Sequence, residues 1–145
     1  MIHLDTSFLV PALTAGSAHD RRLRGWLAAG EPLGMSAIAW AEFLCRPVDA
    51  ADVDLVGRIV PERVPFSEGE AALAARLFNE SGRRRGSLAD CMIAASAIRA
   101  GASLATENSK DFRRLASGGL DLADEQDPRP TASPGSATPR ATRRP

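Results

Sequence analysis

Histidine and cysteine are scarce in this 145-residue chain, two of each, and neither type falls into a metal-binding pattern. His3 and His19 form no HxxxH pair, and Cys45 and Cys91 form no CxxC, which excludes a conventional zinc site. Both cysteines lie in apolar, helix-like sequence, so buried free thiols in a reducing compartment are expected. Excess charge is missing too: 18 basic residues balance 18 acidic ones. Without a net basic field, any hold on nucleic acid must come from a local patch or a bound metal. Neither GxxxxGK[ST] nor GxGxxG occurs, so a phosphate-loop nucleotide site is excluded. No signal-peptide pattern opens the chain and no apolar run approaches membrane-spanning length. The expectation is a cytoplasmic protein with no membrane partner, and no internal repeat is visible.

What is present is an alternation of short apolar runs and helical patterns. Ile2-His3-Leu4 reads as a buried strand ending at Asp5, and Leu33-Gly34-Met35-Ser36 as a second. Arg63-Val64-Pro65-Phe66 is a third, weakened by its proline, Ala102 to Thr106 a fourth, and Leu120-Asp121-Leu122 an edge strand. Helical patterns lie between them: residues 18–29, 37–45 capped by Ser36, 52–60, a stretch opened by Ser67 and Glu70, and 88–100. The last is nearly all apolar, so it belongs inside; Ser87 and Asp90 give it a capping-box-like start. Such alternation means a largely parallel α/β sheet, with a site beyond the carboxyl ends of its strands. A single domain over 1–125 is expected. Residues 126–145 hold five of the ten prolines and no large apolar side chain, which reads as a disordered Pro/Arg-rich tail.

Acids gather at that expected edge. Asp5 ends strand 1, Glu107-Asn108 ends strand 4, Glu42 lies on the helix after strand 2, and Asp90 on the helix before strand 4. Convergent carboxylates repel unless a divalent cation sits among them, and oxygen ligands without His or Cys point to Mg²⁺ or Mn²⁺.

Four segments carry a family resemblance: Ile2-His3-Leu4-Asp5-Thr6-Ser7, Ala39-Trp40-Ala41-Glu42-Phe43-Leu44, Leu88-Ala89-Asp90-Cys91-Met92-Ile93 and Leu104-Ala105-Thr106-Glu107-Asn108-Ser109-Lys110-Asp111-Phe112. In this order they resemble the four motifs of PIN-domain ribonucleases, most closely VapC-type toxins of bacterial toxin–antitoxin pairs. The resemblance implies a three-layer α/β/α fold around a mostly parallel sheet of four to five strands. It implies a metal-dependent endoribonuclease restrained by a cognate antitoxin, homodimeric, with Asp5, Glu42, Asp90 and Asn108 as catalytic positions. Asp5 and Asp90 would hold Mg²⁺ or Mn²⁺, with Thr6 and Ser7 near the metal or a phosphate. The family's fourth acid falls on Asn108, whose amide oxygen can ligate a hard cation but cannot act as a base.

Each position also has a structural reading. Asp5 can serve as a strand-end turn residue, and Glu42 can pair with Arg46 four residues on, although Ile38, Ala41 and Cys45 suggest an apolar flank. Asn108 can bond backbone, and Asp111 can pair with Arg113 or Arg114. Arg83 to Arg85 are either a solvated helix end or phosphate contacts near Asp90. The alternative function is a PIN-fold binding module weakened at Asn108. A dehalogenase-like phosphatase is disfavoured, because the position two residues after Asp5 is Ser7 and not a second Asp.

Overall fold

The computed structural model describes residues 1–123. The expected tail over 126–145 lies outside these residues, as does the end of the expected domain. The strands are β1 (Ile2–Leu4), β2 (Leu33–Ser36), β3 (Glu62–Val64), β4 (Ser103–Ala105) and β5 (Asp121–Leu122). Seven α-helices connect them among the described residues: α1 (Thr6–Ala12), α2 (Ala18–Ala28), α3 (Ala37–Leu44), α4 (Ala50–Ile59), α5 (Glu68–Glu80), α6 (Leu88–Arg99) and α7 (Ser109–Phe112), the last running into a 3₁₀ segment, Arg113–Gly118.

All strand pairs are parallel, in the order β3-β2-β1-β4-β5. The chain therefore starts in the middle of the sheet, works outward to β3, and returns to lay β4 against the other side of β1. The order reverses between β1 and β4, and ligands of open α/β sheets bind beyond the carboxyl ends of strands at such a reversal. β1 is central because it is buried on both faces: Ile2, His3 and Leu4 are all covered, as continuous apolar sequence predicts. Strand 3 stops at Val64, one residue before Pro65, which has no N–H to continue the ladder.

Two local expectations need correction. Ser87 does not cap α6: its hydroxyl donates to the Arg84 carbonyl at 2.8 Å, closing the preceding turn and leaving no box with Asp90. Cys91 is buried and free as expected, but Cys45 is exposed, because α3 buries Ala39 and Phe43 and turns Leu44 and Cys45 outward. The apolar flank expected for Glu42 is accordingly only half-covered, with Ala41 and Cys45 exposed and Ile38 partly buried. By contrast α6 is interior over most of its length, with Cys91 and Ile93 to Ala97 buried.

Helices α5 and α6 pack side by side and are pinned by charge. Glu70 accepts from the Ser67 N–H at 2.9 Å and from Arg99 Nε at 2.5 Å, with its side chain only 8% exposed. Hydrogen bonds from the Ser67 side chain, then Arg99 and the Ser67 backbone, hold its carboxyl down to about 2. A carboxyl lowered on folding stabilises the native state above its ordinary value of 4.5, and that contribution fades as pH falls toward about 2. Urea midpoints measured from pH 6 to pH 2 should thus fall more steeply for the native sequence than for Glu70→Gln, the two curves converging in acid.

A second constraint is steric. His3 is 1% exposed and neither ring nitrogen has a hydrogen-bond partner among the described residues. Burial, then the chain's amino-terminal charge, pushes its imidazole below the ordinary value, so it packs as a neutral ring. Its register partner in β2 is Gly34, where a β-carbon would stand 3.0 Å from Cδ2 and 3.1 Å from Nε2 of the ring. Overpacking of this kind costs about 1–3 kcal/mol. Gly34→Ala should lower the urea midpoint by that order without changing the slope of the transition.

Candidate active site

Three hydrogen bonds converge on the Asp5 carboxylate, which follows β1 and is 4% exposed. The Thr6 N–H donates to Oδ1 at 2.8 Å, while the Ser7 and Thr106 hydroxyls donate to Oδ2 at 2.6 and 2.7 Å. Those hydroxyls are oriented from behind. Glu107 N–H donates to Ser7 Oγ at 3.0 Å and Asn108 N–H to Thr106 Oγ1 at 3.1 Å, so each oxygen's own proton is free for Asp5. The backbone completes the junction, with Asp5 N–H donating to the Ala105 carbonyl at 3.0 Å as an extension of the β1–β4 ladder.

Glu42 reaches the same edge from α3. Ser36 caps that helix by accepting from Ala39 N–H at 3.0 Å, which fixes the direction in which α3 leaves β2. The Thr6 hydroxyl bonds the Ala39 carbonyl at 3.0 Å and Glu42 Oε2 at 3.4 Å, tying the opening turn of α1 to α3. Burial, then the Asp5 charge, and to a lesser degree Asp90 push the Glu42 carboxyl above its ordinary value. Arg46, the partner expected on helical spacing, only moderates this through space.

Asp90 enters in the first turn of α6, half-buried. Burial first, then the charges of Asp5 and Asp111, raise its carboxyl, and Arg84 opposes them. Thus Asp5, Glu42 and Asp90, drawn from three distant parts of the chain, lie within one another's field, and none of them forms an ion pair among the described residues.

The fourth strand's contribution differs from the sequence expectation. Asn108 is exposed; its carbonyl accepts from Asp111 and Phe112 N–H groups at 2.9 and 3.2 Å, but its side-chain amide makes no hydrogen bond among the described residues. Glu107 turns to His19 on α2, with Oε1 2.5 Å from Nε2. Asp111 pairs with Arg84 at 3.0 Å, not with Arg113 or Arg114. Thr106, which sequence reasoning passed over, is the β4 residue that touches Asp5. Its signal was position: a hydroxyl at the carboxyl end of the strand expected beside β1.

The donor set suits a hard cation. Asp5, Glu42 and Asp90 offer oxygen only, they lie within one another's field, and none has an ion-pair partner among the described residues. As they stand, no three His, Cys, Asp or Glu side chains among the described residues are close enough together to hold an ion.

Comparison with known proteins bears on this arrangement. No curated protein matches the chain by sequence. Among solved structures, the chain is similar to a chain of VapBC2 from Rickettsia felis bound to a promoter DNA fragment, at 25% identity and a TM-score of 0.67, covering 85% of this chain and 98% of that one. It is also similar to VapBC-1 from nontypeable Haemophilus influenzae, at 23% identity and 0.65 over 86% and 98%. A third is Mycobacterium tuberculosis VapC20, described as a sarcin–ricin loop cleaving toxin, at 18% and 0.62 over 88% and 100%. At their identities the last two speak to the fold alone. No helix among the described residues is long and apolar enough to cross a membrane. The model of the PIN domain matches residues 2–118, the stretch that carries β1 to β4 and all three convergent acids, and the chain belongs to the PIN-domain family.

Proposed function

We propose that this protein is a toxin-like endoribonuclease that hydrolyses RNA phosphodiester bonds with Mg²⁺ or Mn²⁺ held by Asp5 and Asp90 and with Glu42 beside them. The observation that carries the reading is the convergence of three carboxylates, each lacking an ion-pair partner among the described residues, at the reversal point of a parallel sheet. Such an arrangement is costly unless a cation offsets it. The likeness to VapBC2, seen as a complex bound to promoter DNA, supports a cognate antitoxin as partner. RNA as substrate, a second copy of the chain as partner and action in the cytoplasm are what membership of the PIN-domain family leads us to expect.

Asp5 and Asp90 would hold the metal. A divalent cation held there would supply Lewis-acid chemistry toward a phosphoryl oxygen and the attacking water. The chain's own groups do the rest. Ser7 and Thr106 keep Asp5 from rotating, so one carboxylate face stays directed at the site. Glu42, held by Thr6 beside Asp5, is the carboxylate placed to orient the attacking water or accept its proton. Asn108, exposed and unbonded through its amide, lies at the open rim, where it can hydrogen-bond the substrate.

Protein freed of copurifying partners should cleave RNA in Mg²⁺ or Mn²⁺ and stop in EDTA. Asp5→Ala and Asp90→Ala should each lose activity, and Glu42→Gln should fall by about 10²-fold or more, the scale of a lost proton transfer. Cleavage that survives both aspartate substitutions removes the assignment. A chain inert in every metal that still binds its partner is the weakened binding module instead. The hydroxyl clamp makes a separate prediction. Thr106→Val and Ser7→Ala each delete a hydrogen bond to a charged group and should cost about 1–3 kcal/mol. Because the two hydroxyls lie 3.1 Å apart and share Oδ2, the double variant should depart from additivity by about 0.5 kcal/mol or more in urea unfolding.

A further inference from the structure

A cavity of about 200 Å³ opens beside Asp90, lined by Arg84, Arg85, Cys91, Asp111 and Arg114 among others. The loop between α5 and α6 builds one wall, and its backbone is held in an unusual shape. Gly82, Arg83 and Gly86 all have left-handed φ values, +90°, +53° and +85°, and Arg83 is the one non-glycine residue with positive φ among the described residues. The turn is bonded at both ends. Arg83 N–H donates to the Phe78 carbonyl at 3.0 Å and its Nε to Asn79 at 2.9 Å, while Ser87 holds the Arg84 carbonyl through both N–H and hydroxyl. Arg84 is thereby presented to α7, where it meets Asp111.

The charge balance of this cavity is unlike that of the chain as a whole. Three arginines and two acids are among its lining residues, and only Arg84 has a partner; Arg85 and Arg114 make no ion pair or hydrogen bond among the described residues. Guanidinium forks match phosphate oxygens in pairs. The volume is below the roughly 300 Å³ at which sites for drug-sized ligands begin, so it suits one anionic group and its water and not a whole nucleotide.

We propose that Arg84, Arg85 and Arg114 form a subsite for one phosphate of the RNA strand next to the scissile bond, and that Asp111 masks it in the free protein by pairing with Arg84. The proposal rests on the nuclease reading for the identity of the polymer. The arriving phosphate exchanges the Asp111 carboxylate for its own oxygens on Arg84, while Arg85 and Arg114 close on it from the cavity wall. Asp111 is thus an acid that opposes substrate, in contrast to Asp5 and Asp90.

The test is fluorescence-anisotropy titration of a fluorescein-labelled single-stranded oligoribonucleotide against the full chain in EDTA, at several salt concentrations. Arg85→Ala and Arg114→Ala should each weaken binding about two- to five-fold, the range of exposed charge pairs. Each should also flatten the slope of log K against log salt by about 0.7. Asp111→Asn should tighten binding by a similar factor. Thermal melts of the same samples check that each variant is folded, and Arg85→Lys, which keeps the charge but loses the fork, should fall between the native chain and Arg85→Ala. If Asp111→Asn weakens binding or leaves it unchanged, the mask is wrong. If the arginine variants bind with native affinity and slope while Asp5→Ala abolishes cleavage, the subsite fails and the nuclease reading stands. Arginine-dependent binding in a chain that cleaves nothing in any metal keeps the subsite and removes the nuclease. Arginine-dependent capture of an oligoglutamate peptide without binding of the oligoribonucleotide overturns the proposal, because the pocket then serves the carboxylates of a protein.

Discussion

The Asp5 carboxylate is the joint on which the candidate site turns. It is nearly inaccessible to water, and its oxygens are held by donors from Thr6, Ser7 and Thr106, the last 101 residues away. Desolvating a carboxylate costs several kcal/mol unless hydrogen bonds replace the lost water. Here the replacement comes from the first turn of the following helix and from the end of the neighbouring strand, so satisfying the charge also fixes how β1, α1 and β4 meet. The arrangement depends on parallel pairing. Only when β1 and β4 run the same way do Asp5 and Thr106 emerge at one edge.

Around this joint the electrostatics are graded. Asp5 accepts three hydrogen bonds, Glu42 has one long contact from Thr6, and Asp90 has no hydrogen bond to its carboxylate among the described residues. The two less satisfied acids are also the two whose ionisation is disfavoured by burial and by their neighbours. Water and side-chain donors thus stabilise the innermost charge least and best respectively, while the outer pair keep unspent capacity to bind a cation or accept a proton. Elsewhere the chain treats buried charge differently: Glu70 receives Ser67 and Arg99 and is held firmly ionised. Glu70 is paired with a cation and Asp5, Glu42 and Asp90 are not among the described residues, and that difference separates the structural acid from the candidate site.

Much of this was legible before any coordinates. The parallel α/β class, the four residues of β2, the Ser36 cap and the acids at strand ends follow from period, capping and strand-end position, all local properties of the chain. What was missed is non-local or depends on direction. Cys45 was expected inside because α3 is apolar throughout; eight residues with few polar positions carry little periodicity to show which face turns inward. Ser87 three residues before Asp90 has the spacing of a cap, yet the tight turn at Arg84 competes for the same hydroxyl. Asp111 was matched to Arg113 and Arg114, close in sequence, on the spacing of an α-helix, but α7 ends at Phe112 and the chain goes on as the 3₁₀ segment Arg113–Gly118. Its partner, Arg84, is 27 residues away.

The Arg84–Asp111 pair and the Asp5–Thr106 bond share a logic. Each links the β4–α7 segment to a distant element that bears a site acid, β1 in one case and the approach to α6 in the other. The segment is held besides by the β1–β4 ladder and by the buried Phe112. The His19–Glu107 contact adds a third polar link, from α2, at the residue between Thr106 and Asn108. Polar contacts from β1 and α1, from α2 and from the approach to α6 thus reach the six residues Thr106 to Asp111, beside the apolar anchor of Phe112.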